Sequence, residues 1–211
     1  MFTFLEWRAT EDLLAQPDAC FLHAAGVRLG QRSVLLVGDS GSGKSTLAAH
    51  LLVRGHRAWG DDLVRFALPE GRFSASPRSW KLDSKTLVAI SLLAFLSAEA
   101  GPGMLLAPGV LYASPAAIRR QWQAPDAPAD VVVLLDQADH AGPPLIERTS
   151  DGSAALRAAR MLIGSTPARG KEEHTSIMIK VLEAMSDVTA YRARGTPPAA
   201  LADALERELA A

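Results

Sequence analysis

Gly38-Asp39-Ser40-Gly41-Ser42-Gly43-Lys44-Ser45 sets a lysine and a hydroxyl at the end of a glycine-rich run, in the spacing G-x-x-x-x-G-K-[ST]. Residues of these types at this spacing cradle the phosphates of a nucleoside triphosphate. Glycine lets the backbone turn tightly enough for successive N–H groups to face phosphate oxygens, and the start of a following helix adds partial positive charge. Lys44 would reach the β- and γ-phosphates and Ser45 would ligate Mg²⁺, with Thr46 next in line at the helix start. ATP and Mg²⁺ are therefore the expected cofactors. A second chemical feature follows Lys44 by 17 residues, the adjacent carboxylates of Gly60-Asp61-Asp62. Two carboxylates at a strand end can divide the labour, one orienting the metal ion and the other taking the proton from an attacking hydroxyl. Their other reading is the capping of a turn. Asp136, at the end of a later apolar run, competes for the metal role.

Positions 44 and 61 must be brought together, and the flanking segments have the patterns to do it. Residues 33–37 are an apolar run suited to a buried strand, 46–54 read as a helix that Gly55 stops, and 57–60 form a short strand ending at the aspartates. Residues 21–27 and 33–37 flank a turn and predict a hairpin, as do 63–68 and 72–76 around Pro69-Glu70-Gly71. Further on, 84–98 predict a helix and 101–109 a loop-rich stretch, while Asp130 and Asp136 bracket the clearest buried strand. Residues 154–163 and 175–185 are helical by spacing, 188–194 read as a last strand and 198–209 as an amphipathic end helix. Antiparallel hairpins mixed with strand–helix units predict an α/β class, a mixed twisted sheet with flanking helices. One domain over 1–211, its catalytic core at about 21–195, is expected.

Composition bounds the partners. The 211 residues are 48% hydrophobic and 21% charged, enough for one sizeable core. A net charge of −1 lacks the basic excess of a nucleic-acid-binding surface. Met1 to Arg8 carry Glu6 and Arg8 in place of a basic start and apolar stretch, and the apolar run 87–96 is about half a membrane span, so a cytoplasmic protein without membrane contact is expected. Cys20 is the single cysteine, which leaves no intrachain disulfide.

His23 in Leu-His-Ala-Ala-Gly-Val, then Val-Gly-Asp-Ser-Gly-Ser-Gly-Lys-Ser-Thr, Arg54-Gly55-His56-Arg57 and Gly60-Asp61-Asp62 resemble, in order and spacing, the catalytic core of bacterial HPr kinase/phosphorylase and its shorter relatives. The resemblance covers about a fifth of the chain, from Phe21 to Val64. It implies a single P-loop domain of the HPr kinase C-terminal type. It also implies that the loop Gly38, Asp39, Ser40, Gly41, Ser42, Gly43 holds phosphate together with Lys44 and Ser45, that Asp61 is a general base with Asp62 a metal or positioning partner, and that His23 sits near the transferred phosphoryl group. Which aspartate takes which role stays open, and His23 has the alternative of a hydrogen-bonded core histidine. Relatives assemble as oligomers, so a homo-oligomer is a further implication. Two departures bear on the acceptor: Thr46 stands where the family has glutamate, and the glycine-containing HPr-specific signature has no counterpart.

In its place stands Ser76-Pro77-Arg78-Ser79-Trp80-Lys81-Leu82-Asp83, where Arg78 and Lys81 could clamp phosphate oxygens or be solvated charges beside a turn. Arg169 with Lys171-Glu172-Glu173-His174 reads as a mixed-charge surface loop. The expected activity is transfer of the γ-phosphoryl group of ATP to a hydroxyl, that of a serine in a protein or peptide other than HPr. A small-molecule kinase and an ATP-binding regulatory protein without transfer are the alternatives, and the aspartate pair favours a kinase over a switch.

Overall fold

The computed structural model describes residues 19–68, 70–75, 79–89, 104–113, 115–118, 120–136, 142–149, 157–158, 160, 162–163, 171–195 and 197–209. Its spine is a six-stranded sheet in the order Leu145–Thr149 (β12), Thr189–Arg194 (β14), Val131–Leu135 (β11), Arg32–Val37 (β3), Ala25–Leu29 (β2) and Arg57–Gly60 (β4). The middle strands β14, β11 and β3 are parallel, with Val34 opposite Val131 and Val133 opposite Tyr191. The strands outside them pair antiparallel. Continuous Val and Leu runs make β11 and β3, whose two faces are both covered. Val34, Leu36, Val131 and Val133 enter one core, and their neighbours Leu35, Val37, Val132 and Leu134 enter the other.

Against the first face pack the helices Lys44–Val53 (α1) and Pro198–Leu209 (α5), together with a three-stranded sheet of Trp80–Asp83 (β7), Val110–Ala113 (β9) and Met104–Ala107 (β8). Against the second lies a five-stranded sheet ordered Ala127–Pro128 (β10), Arg72–Ser74 (β6), Val64–Ala67 (β5), Ala19–Leu22 (β1) and Leu162–Ile163 (β13). The helix Lys171–Met185 (α4) joins that face through Ile177, Val181 and Met185, a four-residue spacing that lines one helix side. Ser84–Ala89 (α2) and Pro115–Ile118 (α3) are short helices. The architecture is mixed α/β, with mixed sheets and flanking helices.

Four expectations are corrected. Residues 21–27 are two strands, since β1 pairs with β5 in the five-stranded sheet and β2 with β3 in the spine, so the chain changes layer at His23-Ala24. The stretch 154–163 ends in β13, where Ile163 faces Phe21 and Leu162 faces Leu22. Short apolar runs suit either period, and strand pairing decides this one. The loop-rich 101–109 carries β8, which a turn at Gly109 (φ 76°) joins to β9. Lys171-Glu172-Glu173-His174 opens α4, with both glutamates in its first turn, where the helix dipole favours them. Arg78, the second half of the 84–98 helix and Arg169 lie outside the described residues.

Candidate active site

The glycine-rich loop joins β3 to α1, and its backbone accounts for its glycines. Gly43 caps α1 at φ 88°, a left-handed conformation that a side chain resists. A Cβ on Gly38 would stand 2.6 Å from Ser42 Oγ and 2.8 Å from the Leu135 carbonyl oxygen. The Ser42 N–H closes the loop on the Asp39 carbonyl at 3.1 Å, and Leu47 N–H opens the helix on Gly43 at 2.8 Å. The first N–H groups of a helix lack partners within it. Here no acidic residue occupies the first turn to take them.

Lys44 donates from Nζ to the carbonyls of Gly38 at 2.7 Å and Asp39 at 3.0 Å, so the loop's own oxygens hold its ammonium. Burial lowers its pKa, against the pull of the Asp62, Asp39 and Asp61 carboxylates. The end of β4 delivers Gly60-Asp61-Asp62 alongside, where the Ser45 hydroxyl donates to the Asp61 carbonyl at 3.3 Å. Asp61 is only 4% exposed. Burial and the neighbouring Asp62 carboxylate push its acid up to about 7, while the Ser45 hydroxyl and the Lys81 N–H act the other way. Asp62 remains half-open and meets His23, with Nδ1 3.0 Å from Oδ1. The layer change between β1 and β2 is what turns His23 toward the aspartates.

Ser40, Gly41, Gly43, Lys44, Ser45, Thr46, His23, Asp62 and Lys81 line one cleft of about 560 Å³, while Gly38, Asp39 and the buried Asp61 are not part of its lining. Lys81 reaches it from β7. The lining also includes Asp83, which closes the segment 76–83, and Thr86 and Val110, which carried no motif. Thr46 and Thr86 share a hydrogen bond at 3.0 Å, and the Thr86 N–H donates to Asp83 Oδ1 at 2.8 Å. That last bond caps α2, and an aspartate before Ser84-Lys85-Thr86 was the signal available for it.

Asp136 does not face Lys44 across this cleft. It lines a separate space of about 50 Å³ with Ser42 and Gly43, and its Oδ1 lies 3.7 Å from Arg157 Nη1. The other nitrogen of Arg157 lies 3.9 Å from Asp39 in the loop. Arg157 therefore bridges the phosphate-loop candidate to the end of β11, a role with no signature in sequence. Among the described residues no cluster of three or more His, Cys, Asp or Glu side chains forms a metal cage, and no helix is long and apolar enough to cross a membrane.

No family model matches the chain, and no curated protein matches it. Among solved structures, the Hpr(Ser) kinase/phosphatase from Coxiella burnetii is similar over 89% of this chain and 86% of its own, at 12% identity and a TM-score of 0.41. At that identity and score the likeness assigns neither fold nor activity.

Proposed function

We propose that this chain is an ATP-dependent phosphotransferase that moves the γ-phosphoryl group to a hydroxyl, the serine of a protein or peptide other than HPr. The observation that carries the reading is a cleft lined by Ser45 and by a lysine held on the glycine-rich loop, with Ser45 hydrogen-bonded to the backbone of Asp61, a buried carboxylate whose acid is pushed up to about 7. A general base works best when its pKa lies near the working pH. Asp61 would take the proton of the acceptor O–H as the oxygen forms its bond to the γ-phosphorus and the bond to the departing diphosphate breaks. Lys44 would exchange the Gly38 and Asp39 carbonyls for β- and γ-phosphate oxygens, so its present bonds hold it at the place of use. His23, paired with Asp62, would stand beside the transferred group.

Ser45 and Asp62 are the residues to hold Mg²⁺, which when bound would neutralise charge on the phosphate oxygens. The fit is adequate, since Mg²⁺ takes one or two carboxylates beside phosphates and water instead of a full protein cage. Lys81, and Arg78 by its sequence neighbourhood, would steady the acceptor or its phosphate. The choice of an acceptor other than HPr rests on Thr46 and on the missing signature. A cytoplasmic setting suits the nucleotide.

Transfer from γ-labelled ATP to candidate acceptors encoded beside this protein tests the reading. Label on a serine hydroxyl is the expected result. Rapid labelling of HPr at serine would overturn the acceptor assignment, and ATP binding without turnover on any acceptor would overturn the activity.

A further inference from the structure

Arg28 and Arg57 face one another across β2 and β4 as direct strand partners. Opposed residues in antiparallel strands project to the same side of a sheet, and like charges so placed repel. Their neighbours Val27, Leu29 and Ala58 enter the first core, so the two arginines stand on the opposite face, beside Trp59 of the second. There they line a cleft of about 350 Å³ with Gln31, His56 and Pro125. Its wall is fixed by two bonds: the Ala124 N–H donates to the Ala58 carbonyl at 2.9 Å, and the Trp59 indole N–H to the Pro125 carbonyl at 3.0 Å.

Among the described residues neither guanidinium is paired with a carboxylate. Arg28 donates to the neutral Gln31 amide oxygen at 3.0 Å, and Glu206, the carboxylate at His56, is engaged by His56 at 2.7 Å and Arg54 at 2.8 Å. Two arginines at directly opposed strand positions, lining one cleft without a carboxylate between them, repel until an anion shares them. Their planar forks match the oxygen pairs of a carboxylate or phosphate.

We propose that this cleft binds a small oxyanion, phosphate or carboxylate, between Arg28 and Arg57. It is separate from the nucleotide cleft, because the ten residues of α1, about 15 Å of helix, run between the glycine-rich loop and Arg54-Gly55 beside it.

The test titrates inorganic phosphate, and separately succinate, into the wild-type chain and an Arg28→Gln/Arg57→Gln variant at ionic strength held constant with chloride. The wild type should take up one more equivalent of one of these anions than the variant, or bind it at least about tenfold more tightly. The anion that binds more tightly names the source. Because the glycine-rich loop is identical in both proteins, this difference survives a failure of the nucleotide reading. Without oxyanion at low salt, the variant should melt at or above the wild-type temperature, since the opposed charges are gone. Equal isotherms would overturn the site. So would uptake that chloride abolishes, which marks an adventitious ion only, and so would a variant melting well below wild type, which makes the arginines structural.

Discussion

At the scale of single residues, the lysine and the buried aspartate make opposite demands on the fold. Lys44 is held by two carbonyls that phosphate oxygens would replace, so Lys44→Ala should leave the chain folded and remove most ATP affinity. Calorimetry reads this directly, and equal binding by a folded variant would end the phosphate-loop reading. Asp61 must be ionised to act as a base. With its acid near 7, transfer should rise with pH through about 7, and Asp61→Asn should cut turnover by about 10²-fold or more and abolish that rise while ATP binding persists. The same shift has a consequence for stability. An acid raised from 3.8 to about 7 means that the folded chain holds the Asp61 proton more tightly than the unfolded one, so the contribution of Asp61 to stability is full at low pH and is lost as pH climbs through that interval. At about 1.4 kcal/mol per tenfold change, the ionised form costs the fold on the order of 4 kcal/mol. Asp61→Asn should therefore melt above wild type at pH 8, with the gap closing toward pH 4. A variant less stable at pH 8 would mean that the carboxylate serves the fold.

At the scale of elements, Arg54-Gly55-His56-Arg57 shows how a sequence pattern can mislead about its use. It was legible as a marker of resemblance, yet Arg54 and His56 work as a clamp between α1 and α5. Arg54 binds Asp203, Glu206 and, at 2.9 Å, the carbonyl of Ala199, while His56 meets Glu206 at 2.7 Å. Arg54→Ala should lower stability by about 1–3 kcal/mol in denaturant unfolding and leave ATP affinity unchanged. Loss of nucleotide binding in a folded Arg54→Ala chain would place the arginine in the site instead. The elements legible in the sequence were the continuous apolar runs of β3 and β11, the helices α1, α5 and most of α4, and the strands β14, β4 and the β5–β6 hairpin. The layer change at His23-Ala24 was not, because 21–27 are apolar apart from His23 and only the choice of partner strand divides them. β12 was missed for the reverse reason, since Leu145–Thr149 is largely exposed at a sheet edge and has no apolar alternation to announce it. In the site, Lys44, Ser45 and the aspartates could be read from spacing. Thr86 and Arg157 could not, because they meet the loop only through folds of chain 40 and more than 100 residues long.

At the scale of the whole molecule, the spine sheet serves two cores at once. Leu35 and Leu36 are adjacent in β3 and both wholly buried, one on each face. Neither core can come apart without exposing the strand that builds the other. One cooperative domain is the expected consequence, and the tryptophans are placed to report it, with Trp59 in the second core and Trp80 and Trp122 in the first. Leu35→Ala and Leu36→Ala should each cost about 2–5 kcal/mol, the range for deleting a buried leucine side chain. Both should move a single urea transition to lower concentration with its slope unchanged. Tryptophan fluorescence and far-ultraviolet circular dichroism should give the same midpoint in each variant. If Leu35→Ala instead split the transition, with Trp59 reporting early and the helices of the first face surviving, the second layer would be a separate unit. The candidate cleft, built from the ends of β3, α1 and β4 with His23 entering at the layer change, would then depend on the junction of two bodies instead of one.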